Sequence, residues 1–149
     1  MTNIVDVKGG NKKQRELVKS IALYSIKQLM PKIRTLDVEF ILKSKLEDDC
    51  LGQCLANTNR EFEVELYKKQ SLRRLLETVA HEVVHVKQYA RRELTGDGFI
   101  WRGKTYSPKK VAYWDTPWEI EAHGREVGLF VRWAKEAGYA DADWAQDKG

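Results

Sequence analysis

The chain has 149 residues, with 26 Lys+Arg against 22 Asp+Glu and a formal charge of +4. That length suits one domain with a hydrophobic core that needs no disulfide or metal staple. Apolar residues at 42% exclude a disordered chain, and 32% charged residues exclude an integral membrane protein.

Ile21-Ala22-Leu23-Tyr24 is the one apolar run near the start, and Ser25, Lys27 and Gln28 break it. It is too short for a membrane span and lacks the form of a signal peptide, so the expected location is the cytoplasm. Basic residues gather in 8–34, where eight Lys/Arg face Glu16 alone, while 35–66 carry eight acids. Such segregation could steer a nucleic acid, but a solvated helix face explains it as well, and no nucleic-acid motif accompanies it. Cys50 and Cys54 are the only cysteines. As a lone pair they fall short of a four-ligand zinc site, and they read as reduced structural thiols.

Taken in chain order, residues 12–30 form an amphipathic helix with Leu17, Val18, Ile21, Ala22 and Leu29 on one face and Pro31 beyond its end. Leu36, Val38, Phe40 and Leu42 then alternate with polar or outward positions, the period of a half-buried strand. A short strand is expected over 51–56. Another follows the Asn57-Thr58-Asn59 turn, with Phe62, Val64 and Leu66 inward and Glu61, Glu63 and Glu65 outward. These strands are expected to pair antiparallel or in a mixed sheet. Residues 71–92 return to a helical period, with Leu72, Leu76, Val79, Val83 and Val86 as a core seam. Residues 95–114 read as a hairpin or irregular loop, and a last helix runs from Pro117 to just before Gly138. The polar tail after it, 139–149, is expected to be loose. The whole is a single α+β domain.

Two of only three histidines fall in His81-Glu82-Val83-Val84-His85. On a helix, His81 and His85 lie one turn apart on one face and can grip one metal ion. Neutral imidazoles hold Zn²⁺ while leaving a position for water, whose pKa the ion lowers to about 7. Glu82, offset by one residue, suits the base that takes the proton of that water. A third protein ligand is needed, and the metzincin spacing is absent, because Gln88 and Arg91 stand where Gly and His would be required.

The remaining candidates lie in Pro117–Glu126. The apolar seam of that helix reads Ile120, Gly124, Val127, Val131 and Ala134, while Glu121 pairs at i,i+4 with Arg125. Glu119, Ala122, His123, Glu126 and Phe130 share the opposite flank, so Glu119 or His123 can reach the metal more readily than Glu121. Thr116-Pro117-Trp118-Glu119 also spells a capping box, a competing role for Glu119. Tyr106 and Tyr113 are candidate oxyanion donors. Trp101, Trp114 and Trp118 are candidate walls of a substrate cleft, or aromatic packing of the loop.

Thr78–Val86 resembles the active-site helix of zincin metallopeptidases, and Glu119-x-x-Ala122-His123 resembles the glutamate-bearing helix of gluzincins. The chain is similar to minimal zincins and SprT-like proteins of bacteria and phages. That resemblance implies zinc bound by His81, His85 and Glu119, with Glu82 as catalytic base of a peptide-hydrolysing endopeptidase. It also implies that the last strand before the motif aligns an extended peptide substrate. Where gluzincins usually carry Asp, four residues after the third ligand, this chain has His123. The competing class is a non-catalytic zinc-containing module docked on nucleic acid through residues 8–34.

Overall fold

The computed structural model describes residues 2–146. The fold is α+β, with three long helices, a four-stranded mixed sheet and a small antiparallel sheet. Strand β1 (Ile4–Lys8) leads into helix α1 (Lys12–Leu29), and the chain returns as β2 (Asp37–Lys43). Asn11 starts α1 by a reciprocal capping box with Gln14, which satisfies two backbone donors at once. β3 (Gly52–Ala56) and β4 (Glu61–Tyr67) form a hairpin, followed by α2 (Leu72–Ala90), whose first turn is capped by Ser71.

Sheet order is β1-β2-β4-β3, with β1 parallel to β2, β2 parallel to β4, and only β3–β4 antiparallel. The purely antiparallel alternative is therefore corrected. After β2 the chain crosses to the outer lane, lays down β3, and folds back so that β4 fills the gap beside β2. β4 is thus an interior strand, and the free edge beside α2 belongs to β3. The last strand before α2, expected to be an edge, is therefore interior, and the open edge on that side is Gly52–Ala56. β1 was not foreseen, because only Val5 of its five residues is buried.

The inner sheet face carries Val38, Phe40, Leu42, Phe62, Val64 and Leu66, all at most 4% exposed. Each such side chain contributes roughly 1.5–3 kcal/mol of burial free energy. Helices α1 and α2 cover this face. The third helix, α3 (Pro117–Ala137), packs chiefly on α2 from the far side. α2 is therefore sandwiched, and every residue from Leu75 to Gln88 is buried.

The burial of α3 reverses the expected seam. Ile120, Val127 and Val131 are 58%, 47% and 37% exposed, and only Ala134 of that stripe is buried with the helix's inner face. The inner face is Trp118, Glu119, Ala122, Glu126, Leu129, Phe130 and Trp133. Two acids thus sit where an apolar stripe was expected, because histidines on α2 receive them. α3 ends at Gly138, whose φ of 87° is the left-handed cap geometry glycine tolerates.

Between α2 and α3, the expected loop forms three two-residue strands, β5 (Leu94–Thr95), β6 (Ile100–Trp101) and β7 (Lys104–Thr105). After α3 the chain makes contacts back to the domain through residue 145. Tyr139 stacks on Trp133, Trp144 leans on both, and the Ala145 carbonyl accepts a 2.7 Å hydrogen bond from Arg73. Residues 147–149 lie outside the described residues. No described helix is long and apolar enough to cross a membrane.

Candidate metal centre

His81 and His85 point from α2 toward α3, and Glu119 comes from the first turn of α3 to meet them. The two Nε2 atoms are 3.2 Å apart. Glu119 Oε1 lies 3.1 Å from His81 Nε2, and its Oε2 lies 3.2 Å from His85 Nε2. Donors at ~2.0–2.2 Å around a tetrahedral Zn²⁺ stand about 3.3–3.6 Å from one another. The observed contacts, made by a different Glu119 oxygen to each imidazole, come within about half an ångström of that spacing, so the residues present fit a small cation. Glu119 is consequently not a capping residue: Thr116 makes no side-chain cap bond, and its hydroxyl donates to the Tyr113 carbonyl instead.

A second layer orients the first. His81 Nδ1 lies 3.1 Å from Glu126 Oε1, and the same oxygen lies 2.7 Å from His123 Nδ1. His85 Nδ1 lies 2.8 Å from Gln88 Oε1. Gln88 Nε2 in turn donates to the Trp118 carbonyl and to Glu121 Oε1, each at 2.9 Å. With each Nδ1–H donated outward, the Nε2 lone pairs are left facing the cluster, as metal-binding imidazoles require. Tyr113 Oη donates to Glu119 Oε1 at 2.9 Å and lies 3.0 Å from His123 Nε2.

The electrostatics also call for positive charge. Burial alone would lower the His81 pKa, but hydrogen bonds to Glu119 and Glu126 and the charges of Glu82 and Glu119 push it up to about 10. His85 is raised as well, with the Glu119 hydrogen bond and the Glu82 charge overcoming burial. Burial works against ionised Glu119, yet its bonds to both histidines hold it well below the usual carboxylate range. In the metal-free chain a proton on the imidazoles thus balances the surrounding carboxylates.

Glu82 faces a different neighbour. It turns toward β3, where a Cβ on Gly52 would come within 3.1 Å of its Oε2 and 2.6 Å of the Thr78 methyl group. Only glycine lets the strand approach this closely. Among the described residues, no hydrogen bond holds the Glu82 carboxylate, and burial raises its pKa, partly offset by the two histidines. The result is a buried, more basic carboxylate beside the cluster.

A cavity of about 370 Å³ is lined by His81, Glu82, His85 and Glu119, with Cys54 and Gly52 on one wall and Tyr113 and Trp118 on the other. A second hollow of about 230 Å³ continues over His81 and Glu82 to Trp114, His123 and Glu126.

The structure thus brings His81, Glu82, His85, Glu119 and Tyr113 together. His123 stands behind them and joins His81 and Glu126 as a second group with metal-ligand spacing. Glu121 is drawn away by Lys87 at 2.6 Å and Arg125 at 3.0 Å, and it reaches the cluster only through Gln88. Tyr106 is not at the cluster: its ring packs edge-on against Trp118. Trp114 and Trp118 line the hollows, whereas Trp101 sits under the Arg102 guanidinium. Cys50 and Cys54 are free thiols on the cavity wall.

Sequence reasoning missed Glu126, Gln88 and Gly52 as working parts. Glu126 lies two helical turns beyond Glu119, and Gln88 lies three residues beyond His85, so both spacings were legible. Gly52 was marked only by a glycine inside the short strand expected over 51–56.

The chain matches no family model, no curated protein and no solved structure.

Proposed function

We propose that the protein is a zinc-dependent metallopeptidase, with His81, His85 and Glu119 as the metal ligands and Glu82 as the catalytic base. One observation carries this reading. The cluster of two imidazoles and a carboxylate shares a cavity with a buried carboxylate that no hydrogen bond restrains among the described residues. Two imidazoles and one carboxylate on the wall of a cavity form a donor set suited to catalytic zinc. The ion would supply Lewis acidity to a bound water and to the substrate carbonyl.

The chain's own groups supply the rest. Glu82, made more basic by burial, takes a proton from the attacking water and passes it to the leaving amine. Tyr113, whose hydroxyl lies at the cavity wall, turns from Glu119 to donate to the developing oxyanion. The free edge of β3 offers backbone groups along which an extended peptide can align. Gln88 and Glu126 keep the imidazoles aimed.

Purified protein should hold about one zinc per chain. Glu82→Gln should retain that metal and lose peptide hydrolysis, and full activity in this variant would overturn the mechanism. A non-catalytic zinc module on nucleic acid draws less support from the basic segment once its partners are seen. Lys8 pairs with Glu39, Lys12 with Glu16, and Arg15 donates to the Gly9 and Gly10 carbonyls. Salt-sensitive DNA binding without hydrolysis, unchanged by Glu82→Gln, would favour that competing reading.

A further inference from the structure

Beside the metal centre lies a third hollow, of about 200 Å³, that neither the ligands nor the base line. Its walls are Phe99, Tyr106, Pro108, Val111, Tyr113 and Trp118. They come from the connection between α2 and α3 and from the first turn of α3.

Two of these residues are shared. Tyr113 and Trp118 also wall the cavity that holds His81, Glu82, His85 and Glu119. The hollow therefore opens one side chain away from the reacting position. Its aromatic rings are set edge-on: Phe99 to Trp118 at 6.2 Å and 70°, and Tyr106 to Trp118 at 5.7 Å and 88°. Such a frame presents ring faces and edges to an aromatic guest.

Most side-chain polar atoms of the lining are already used, Tyr113 Oη by Glu119, while the Tyr106 hydroxyl and the Trp118 indole N–H have no hydrogen bond among the described residues. Thr116 Oγ1 donates to the Tyr113 carbonyl, and Ser107 Oγ accepts from the Lys109 amide. No carboxylate lines the hollow. No charged side chain lines it either, so a charged group would lose its hydration there without an ionic partner. The volume exceeds the ~150 Å³ that suffices for a benzene ring in an apolar cavity.

We propose that this hollow is a specificity pocket, taking an aromatic or large aliphatic side chain of the peptide substrate next to the bond cleaved at the metal centre. This rests on the peptidase reading above. Substrates with Phe, Tyr, Trp, Leu or Met beside the scissile bond are then preferred over those with Gly, Ala or charged residues. Val111 sits on the wall away from the cluster, so a larger residue there narrows the pocket without touching ligand or base.

The test has two arms on the full-length chain. In the first, zinc-loaded protein digests a degenerate peptide library and cleavage sites are mapped by mass spectrometry. Large apolar residues should be favoured roughly ten-fold or more on one side of the bond. Val111→Phe should lower kcat/KM for aromatic substrates by a similar factor while cleavage beside Ala or Gly persists. In the second, N-acetyl-phenylalaninamide and N-acetyl-alaninamide are titrated while Trp118 and Phe99 ring signals are followed by NMR. The aromatic probe should saturate, and Val111→Phe should weaken it.

Cleavage with no preference beside the bond would overturn the pocket and leave the peptidase reading standing. Equal or absent response to the two probes would likewise overturn the pocket. No cleavage, with the aromatic probe still bound selectively, would instead overturn the peptidase reading and uphold an apolar ligand pocket.

Discussion

Glu126 Oε1 lies 3.1 Å from His81 Nδ1, on the opposite side of the imidazole from Glu119. A helix thus contributes one carboxylate to each nitrogen of the same ring. Glu126 fixes the ring's tilt and tautomer without itself entering the ligand triangle, and His123 fixes Glu126 in turn. Glu126→Gln should weaken zinc binding by about 10- to 100-fold, the usual effect of losing such a partner. Competition with a chromophoric chelator measures it, and unchanged affinity would remove Glu126 from the site.

The third ligand is separable from its neighbours by substitution. Glu119→Gln should reduce zinc content to a small fraction of the parent's. Glu121→Gln should leave zinc bound, because Glu121 is engaged by Lys87, Gln88 and Arg125. Metal analysis of the two variants after dialysis decides the assignment, and retention by Glu119→Gln would refute it.

Gly52 provides a test of the contact between strand and helix. In Gly52→Ala the new methyl group meets the Thr78 methyl and the Glu82 carboxylate, so β3 or Glu82 must move. Destabilisation of about 1–3 kcal/mol is expected from such overpacking. Hydrolysis should fall more than zinc affinity, since the base is displaced and the ligands are not. Thermal unfolding, zinc titration and kcat together read the outcome. A loss of zinc as large as the loss of kcat would contradict this placement.

The pH responses of the metal-free and zinc-bound forms should diverge. His81, raised from 6.5 to about 10, stabilises the metal-free fold fully below about pH 6.5. That contribution is lost as pH rises from there through about 10. Glu119, lowered from 4.5, contributes above that value and loses its contribution as pH falls below it. Glu82, raised by burial, adds a further loss above 4.5 and moves the optimum toward acid. Zinc must displace the imidazole protons, so its affinity rises with pH. Melting temperatures with EDTA should therefore fall between pH 6 and 9, while the increment from added zinc grows. A flat metal-free profile would show that the imidazoles are not held charged.

The part of the site legible in the sequence was the part encoded within one helix. His81, Glu82 and His85 need only the α-helical turn to fix their relation, so spacing alone specified them. Glu119 needed the packing of a second helix, and spacing placed it on the right flank with His123 and Glu126. The buried seam was nevertheless expected along Ile120, Gly124, Val127, Val131 and Ala134 and not on that flank. Apolar residues are ordinarily taken to face inward, but the stripe Ile120, Val127 and Val131 faces solvent. Glu119 and Glu126 are inside because imidazoles on α2 compensate their charge.

The sheet shows the same division between local and non-local information. Alternation located β2 and β4 to within a residue or two, since it depends only on which face is buried. Their parallel pairing depends on a lane left open and later filled by the hairpin, which no local pattern encodes. β1 pairs with β2 across the whole length of α1, and its one buried valine carried too little signal.

His81 and Glu119 stand 38 residues apart in the chain, and the ribbon between them holds the small antiparallel sheet and most of the apolar hollow. An ion gripped by both would act as a cross-link closing that loop, restricting the unfolded chain much as a disulfide does. Metal occupancy would then be a variable of folding as well as of catalysis. Withdrawal of the ion should first loosen the clasp between α2 and α3, then the walls of the hollow, while the sheet packed on α1 persists.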